Sequence, residues 1–465
     1  MSRPVPPPPP EADVPTPDDR ALPNGDADDA RLPWYRGVPR YAWVVLAISA
    51  LGWLFDTMDQ NIFNLVRQPS LRDILSATVP EDQLTAATSK LSGDMTALFL
   101  VGWAIGGFLF GMIGDRFGRA RTMALTILIY AAFTGLTGLT NTPFWYGVCR
   151  FMTALGVGGE FAAGAALVAE VFPQRSRAMA LGTLQALSAV GNMMAAVVTL
   201  SLSSLDNSWR WAYFVGALPA VLVFFIRRVV REPEQWVEAQ ATARTENKSL
   251  GSIPGLFRER QIARNTLAGT LLALAGVGGL WGVGFWLPEL TRLALAPLGL
   301  DKAAMTRTTS LVFLTQQVGA LFGMFAYAVL SERIGRRPAL LLFLVLAFGA
   351  VQGTFRFLHD LPTAFLWAPI LGFCALAPFS AFAVYFPELF PTRLRATGVG
   401  FCYNCARLVA ALAPFTLGAL AQTYDKPGDP AAGLRTAASI VACVYLVGLV
   451  GVWLAPETKG KPLPE

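Results

Sequence analysis

The stretch Gly111-Met-Ile-Gly-Asp115-Arg116-Phe117-Gly118-Arg119 decides the reading of the chain, because it comes twice. Its counterpart, Ala328-Val-Leu-Ser-Glu332-Arg333-Ile334-Gly335-Arg336-Arg337, follows 217 residues later. A second pair keeps nearly the same period. Glu170-Val-Phe-Pro173-x-x-x-Arg177 and Glu388-Leu-Phe-Pro391-x-x-x-Arg395 stand 218 residues apart. Two motifs sharing one spacing imply two related halves. Glycine permits a sharp turn where a side chain would clash, and arginine offers a fork for a carboxylate. Such links at helix ends can hold a gate shut and release it when two halves rock apart. The gating set is therefore Gly111, Asp115, Arg116, Gly118, Arg119, Glu170 and Arg177, with Glu332, Arg333, Gly335, Arg336, Glu388 and Arg395 in the second half.

Each motif follows an apolar run long enough to cross a bilayer. Of 465 residues, 54% are hydrophobic and 15% charged, against about 25% charged in an ordinary soluble domain. Mean hydropathy is +0.47. Runs near 41–66, 94–113, 122–140, 144–168, 178–202, 209–228, 264–290, 308–330, 338–357, 361–385, 396–421 and 436–455 predict twelve transmembrane helices. The fold class is an all-α membrane protein of two six-helix bundles, over 37–228 and 263–455. A linker at 229–262 with a short amphipathic helix joins them. Residues 1–36, with Pro6 to Pro10 in a row, read as a disordered tail, and 456–465 as a second tail.

Ten of the 37 Lys and Arg residues stand in four short loops, at 116–121, 175–177, 333–337 and 393–395. The positive-inside rule then puts these loops and both termini in the cytoplasm of a cell inner membrane. The formal charge of +6 is spread over such loops, so nucleic acid is not an expected partner. Cys402 and Cys405 have ligand-like spacing, but no second thiol pair is near and His359 is the lone histidine. No metal, cofactor or catalytic set is expected.

Charges inside spans are expensive and mark function. Asp56 and Asp59 share one face of the first helix, which Gln60 and Asn64 extend. At 1.5 Å per residue, Asp56 lies roughly 22 Å above the helix start and Arg150 roughly 9 Å below the outer end of the fourth helix. These depths let Arg150 face Asp56 or Asp59, and snorkelling of Arg150 to the surface is the competing reading. Glu160 lies deeper, in a glycine-rich run. Proton coupling is assigned to Asp56, Asp59 and Glu160. Substrate binding is assigned to Arg150, Arg407, Gln60, Asn64, Tyr403 and Asn404.

With these motifs in place, the chain resembles the major facilitator superfamily over about 40–460. Gly111 to Arg119 matches the family loop motif, with Ala120 where a second arginine is usual. Arg150-Phe151 through Gly156, Gly158, Gly159 and Glu160 resembles the fourth helix of its metabolite–proton symporter and sugar-porter branches. Arg231-Glu232-Pro233 resembles their end of helix six, and Pro456-Glu457-Thr458-Lys459-Gly460 their ending after helix twelve. Asp56-Thr57-Met58-Asp59 resembles the Asp-Gly-x-Asp of organic-acid–proton symporters. The sugar porters' paired glutamines belong to helix seven, whereas Gln316 and Gln317 fall in the next helix and receive no sugar role. The resemblance implies alternating access by a single-chain unit that moves a small organic anion with protons. Sugar or polyol transport, and a nutrient receptor that moves nothing, are the alternatives.

Overall fold

The computed structural model describes residues 33–202, 205–246, 249–282, 286–412, 416, 420–424 and 431–465. The first bundle holds α1 (Arg40–Ser76), α2 (Glu81–Phe117), α3 (Arg119–Thr137), α4 (Pro143–Val171), α5 (Gln174–Leu202), α6 (Ser208–Gly216) and α7 (Ala220–Val229). The linker carries α8 (Glu234–Thr245) and the short α9 (Gly255–Arg258). The second bundle holds α10 (Arg260–Gly282), α11 (Leu287–Leu295), α12 (Lys302–Ile334), α13 (Arg336–Phe357), α14 (Leu361–Leu389), α15 (Arg395–Ala410), α16 (Ala432–Val441) and α17 (Val444–Leu454). Ten helical segments are long and apolar enough to cross a membrane among the described residues. The other two predicted crossings fall on α10 with α11, and on α15, where part of 411–421 lies outside the described residues.

Several spans run past their apolar cores. α1 reaches Ser76 and α2 starts at Glu81, although the apolar runs suggested 66 and 94. Thirty-seven residues make roughly 55 Å of helix, more than the roughly 30 Å of hydrocarbon. The polar extensions meet at an exposed Arg72–Glu81 contact of 2.7 Å. Hydropathy marks where lipid ends, not where the backbone ladder stops.

The ends of the chain also depart from expectation. Residues 1–32 of the predicted tail lie outside the described residues. Residues 33–36, by contrast, pack on the bundle: Trp34 lies 5.4 Å from Trp43, and Ser176 Oγ donates to the Trp34 carbonyl at 2.5 Å. At the other end, Arg395 Nη2 donates to the Pro464 carbonyl at 2.9 Å, and Leu463 is buried. Both described ends thus lie beside the repeated motif loops, at the gate end, named for the gate expected there.

The bundles meet along two matched seams, α2 against α15 and α5 against α12 and α14. Small residues let the backbones approach. A Cβ on Gly111 would come within 2.9 Å of the Ala396 carbonyl oxygen.

Candidate functional site

The gate end is closed by groups that cross between bundles. Asp115, at the end of α2, accepts from the N–H groups of Ala396 (3.1 Å) and Thr397 (2.8 Å) and from Thr397 Oγ1 (2.5 Å). It therefore caps the start of α15 from the opposite bundle. A carboxylate suits this place because the first N–H groups of a helix lack partners and carry partial positive charge. Glu170 accepts from Arg119 Nη2 at 3.1 Å and from Arg395 Nη1 at 2.6 Å, joining the halves a second time. Arg119 Nη2 also donates to the Thr392 carbonyl at 2.6 Å.

The second copy of the loop repeats the internal contacts but not the bridge. Arg336 forks onto Glu388 at 3.1 and 3.0 Å, as Arg119 does onto Glu170. Arg177 Nε donates to the Ala169 carbonyl, and Arg395 Nε to the Pro387 carbonyl. Glu332 stays beside its own Arg336 at 2.9 Å and remains partly exposed. Arg116 donates to the Leu250 carbonyl in the linker, while Arg333 offers its carbonyl to Lys459.

Two carboxylates whose motifs carried the resemblance, yet had no assigned role, prove to be paired caps. Glu232 accepts the N–H groups of Arg119 and Arg121 at the start of α3, at 2.7 and 3.1 Å. Glu457 does the same for Arg336 and Arg337 at the start of α13, at 2.9 and 3.1 Å. The loop glycines make room for them. Gly118 has φ +111° and Gly335 φ +102°, and a Cβ at either would strike the capping carboxylate.

Burial alone would raise the Glu457 carboxyl, but N–H groups of Lys459, Arg336, Arg337 and Thr458 outweigh it and hold it below its ordinary 4.5. A depressed carboxyl contributes stability above its unfolded value and loses it as pH falls through the folded value. Glu457→Gln is expected to cost about 1 kcal/mol at pH 7. Its melting-temperature deficit in detergent should close below about pH 4. A deficit constant over that range would refute the charged cap.

Beyond this seal lies a cavity of about 110 Å³ between the bundles. Its walls include the rings of Trp53, Trp103, Trp281, Phe313, Phe379 and Tyr403, with the amides of Gln60, Asn61, Gln185, Asn192, Gln316 and Gln317. One charged side chain, Arg407, is among the lining residues. Its guanidinium carbon sits 3.9 Å over the Trp103 ring and 3.8 Å over the Tyr403 ring. Nη1 donates to Asn404 Oδ1 at 2.8 Å, and Asn404 donates in turn to the Gly400 carbonyl. Arg407 is 3% exposed, and no carboxylate pairs with it among the described residues.

The predicted binding residues thus divide. Gln60, Tyr403 and Arg407 line the cavity; Asn404 lies behind and holds Arg407. Asn64 is not among the lining residues. Arg150 is not either: it is wholly buried inside the first bundle, 3.6 Å from Asp59. There it donates to Thr137, Thr134 and Thr153 and stacks 4.6 Å over Tyr213. Between the two offered partners, the geometry selects Asp59. The reading of Arg150 as a group in direct contact with substrate is corrected, because three threonines on α3 and α4 turn its fork away from the seam.

Asp56, Asp59 and Glu160 are buried, and none of the three carboxyls has a hydrogen-bond partner among the described residues; Asp59 differs in having Arg150 at 3.6 Å. Asp56 lies within electrostatic reach of Glu160, Asp59 and Arg407. Glu160 reaches α1 at Gly52, one turn below Asp56: a Cβ there would lie 2.1 Å from Glu160 Oε1. The glutamines set aside earlier are cavity residues. Gln317 joins Asn61 and Asn192 in a chain of amides of 2.6 and 2.9 Å running from α1 through α5 to α12.

Comparison with known proteins places this geometry. The Major Facilitator Superfamily family model matches residues 49–306 and 291–465. A probable 4-methylmuconolactone transporter of Cupriavidus pinatubonensis is 32% identical over 92% of this chain and 93% of its own length. A cis,cis-muconate transport protein of Acinetobacter baylyi is 31% identical over 75% of this chain and 82% of its own. Among solved structures, the proton:xylose symporter XylE bound to 6-bromo-6-deoxy-D-glucose aligns with a TM-score of 0.70 at 19% identity, over 91% of this chain and 98% of that one. XylE shares the fold: twelve helices in two bundles. The family model covers most of the chain, and relatives above 30% identity match along most of their own length, so this chain belongs to the Major Facilitator Superfamily.

Proposed function

We propose that this transporter moves a small organic anion, a carboxylate, together with protons by alternating access. Arg407 carries the reading: it is a cavity-lining guanidinium with no carboxylate partner among the described residues. Desolvating a cation without a counter-charge is costly, and an incoming carboxylate supplies that charge. The ring-lined walls favour a flat, unsaturated or cyclic acid, and the relatives named for muconate and a muconolactone point the same way. Asp56 and Glu160, buried with neither a hydrogen-bond partner nor a salt bridge among the described residues, are the proton carriers in this reading, because such carboxyls readily exchange charge for a proton. Asp59, by contrast, has Arg150 beside it. Asp59 and Arg150 serve as a fixed pair that positions α1 against α4. The Asp115, Arg119, Glu170 and Arg395 bridges act as the gate, parting when the bundles rock.

The loops of the gate end face the cytoplasm of an inner membrane in this reading, and one chain is the working unit. The cavity amides would also suit a polyhydroxy ligand, which keeps sugar transport as the second reading. A neutral sugar, however, brings no counter-charge of its own to Arg407. A thermal-shift screen of the purified protein with carboxylates and neutral sugars separates the two. Flat carboxylates are expected to raise the melting temperature, and a response confined to sugars would overturn the assignment.

A further inference from the structure

On the flank of the first bundle, apart from the central cavity, the start of α3, the end of α7 and the residues just after it line a half-open cavity of about 450 Å³ at the gate end. Arg121, Arg227 and Arg231 line it, over a floor that includes Ala124, Ile226 and Val230. Among the described residues, no hydrogen bond or ion pair engages the guanidinium group of any of these three arginines. Glu232 is the one acid on the wall, and its carboxylate is engaged by the N–H groups of Arg119, Ala120 and Arg121. The wall thus has an excess of positive charge.

The position matters as much as the charge. α3 begins at Arg119 and α7 ends at Val229, so the cavity lies at the ends of two apolar spans. Farther along the same helices, Leu125, Leu128, Phe224 and Phe225 are exposed. A soluble anion would use the arginines and leave the apolar floor wet. A membrane phospholipid would use both, its phosphate in the guanidinium forks and its chains along the exposed apolar side chains. We propose that this cavity is a binding site for an anionic phospholipid, with the phosphodiester held by Arg121, Arg227 and Arg231. Because Arg121 lies on α3, Arg227 on α7 and Arg231 just past the end of α7, a bound headgroup ties the end of α7 to the start of α3 beside the motif loop.

The test uses the full chain in neutral detergent, titrated with phosphatidylglycerol, phosphatidylcholine or inorganic phosphate while its melting temperature is followed. Phosphatidylglycerol is expected to raise the melting temperature, with little response to the other two. In the triple variant R121Q/R227Q/R231Q the lipid concentration for half the effect should rise about tenfold or more. The triple variant R258Q/R260Q/R264Q removes three exposed charges at the end of α9 and the start of α10 and should respond like the parent chain. The milder Arg227→Gln should show a smaller loss in the same direction. Equal losses in both triple variants would mean diffuse attraction and overturn the site. Protection by phosphatidylcholine or inorganic phosphate equal to that of phosphatidylglycerol would overturn the assignment to an anionic lipid.

Discussion

Replacing Arg407 with glutamine is expected to reduce carboxylate uptake to the background of empty vesicles while leaving the protein folded. A charge-assisted hydrogen bond contributes about 1.5–3 kcal/mol, and more when the charge is desolvated. Loss of a forked pair should therefore weaken binding about 100-fold or more. Folding should not suffer, because Arg407 forms no ion pair among the described residues and its burial is a cost to the empty protein. Lysine is expected to restore little. A point charge on a flexible stem cannot reproduce a planar group lying 3.9 Å over Trp103 and 3.8 Å over Tyr403. The checks are radiolabelled uptake into proteoliposomes and the thermal shift on adding ligand. An Arg407→Gln protein that still takes up the acid at near parental rate would remove the anion receptor from this account.

The second large effect is on stability. Asp59 and Arg150 are both fully buried, 3.6 Å apart. Breaking a buried pair by removing one partner costs about 3–5 kcal/mol, since the remaining charge has nowhere to go. Asp59→Ala should therefore unfold at clearly lower denaturant concentration in detergent. The double variant Asp59→Ala/Arg150→Met, which removes both charges, should recover most of the loss. Exchanging the two residues should recover part of it, limited by the threonines that fit Arg150 in its present direction. If Asp59→Ala alone stays within about 1 kcal/mol of the parent, the pair is not the strut described here.

The parts of this architecture that rest on repetition and length were readable from the chain. Lipid thickness fixes the length of an apolar run, so most crossings could be counted. The period linking Asp115 to Glu332 and Glu170 to Glu388 exposed the two halves. What repetition could not show is that the copies diverge: Asp115 bridges the bundles to Thr397, whereas Glu332 stays with Arg336. The choice between Asp56 and Asp59 for Arg150 was open because both share one helical face and similar depth. Arg407 stood out because a cation inside a span is rare.

Gln316, Gln317 and Asn192 were passed over for a physical reason. Neutral amides and aromatic rings occur throughout helix bundles, and no periodicity says which face meets the seam. Only the packing of α5 against α12 turns them into one wall. Glu232 and Glu457 stood in quoted motifs, but their capping role depends on distant backbone N–H groups that sequence spacing does not bring together.

Coupling between acid and proton is tested most directly with proteoliposomes that contain a trapped pH-sensitive dye and receive an outside pulse of a membrane-impermeant flat dicarboxylate, with no pre-set pH gradient. The account predicts lumenal acidification that tracks uptake, is absent in empty vesicles and disappears in the Asp56→Asn/Glu160→Gln protein. Uptake of the acid with no proton movement, or unchanged acidification in that double variant, would contradict it.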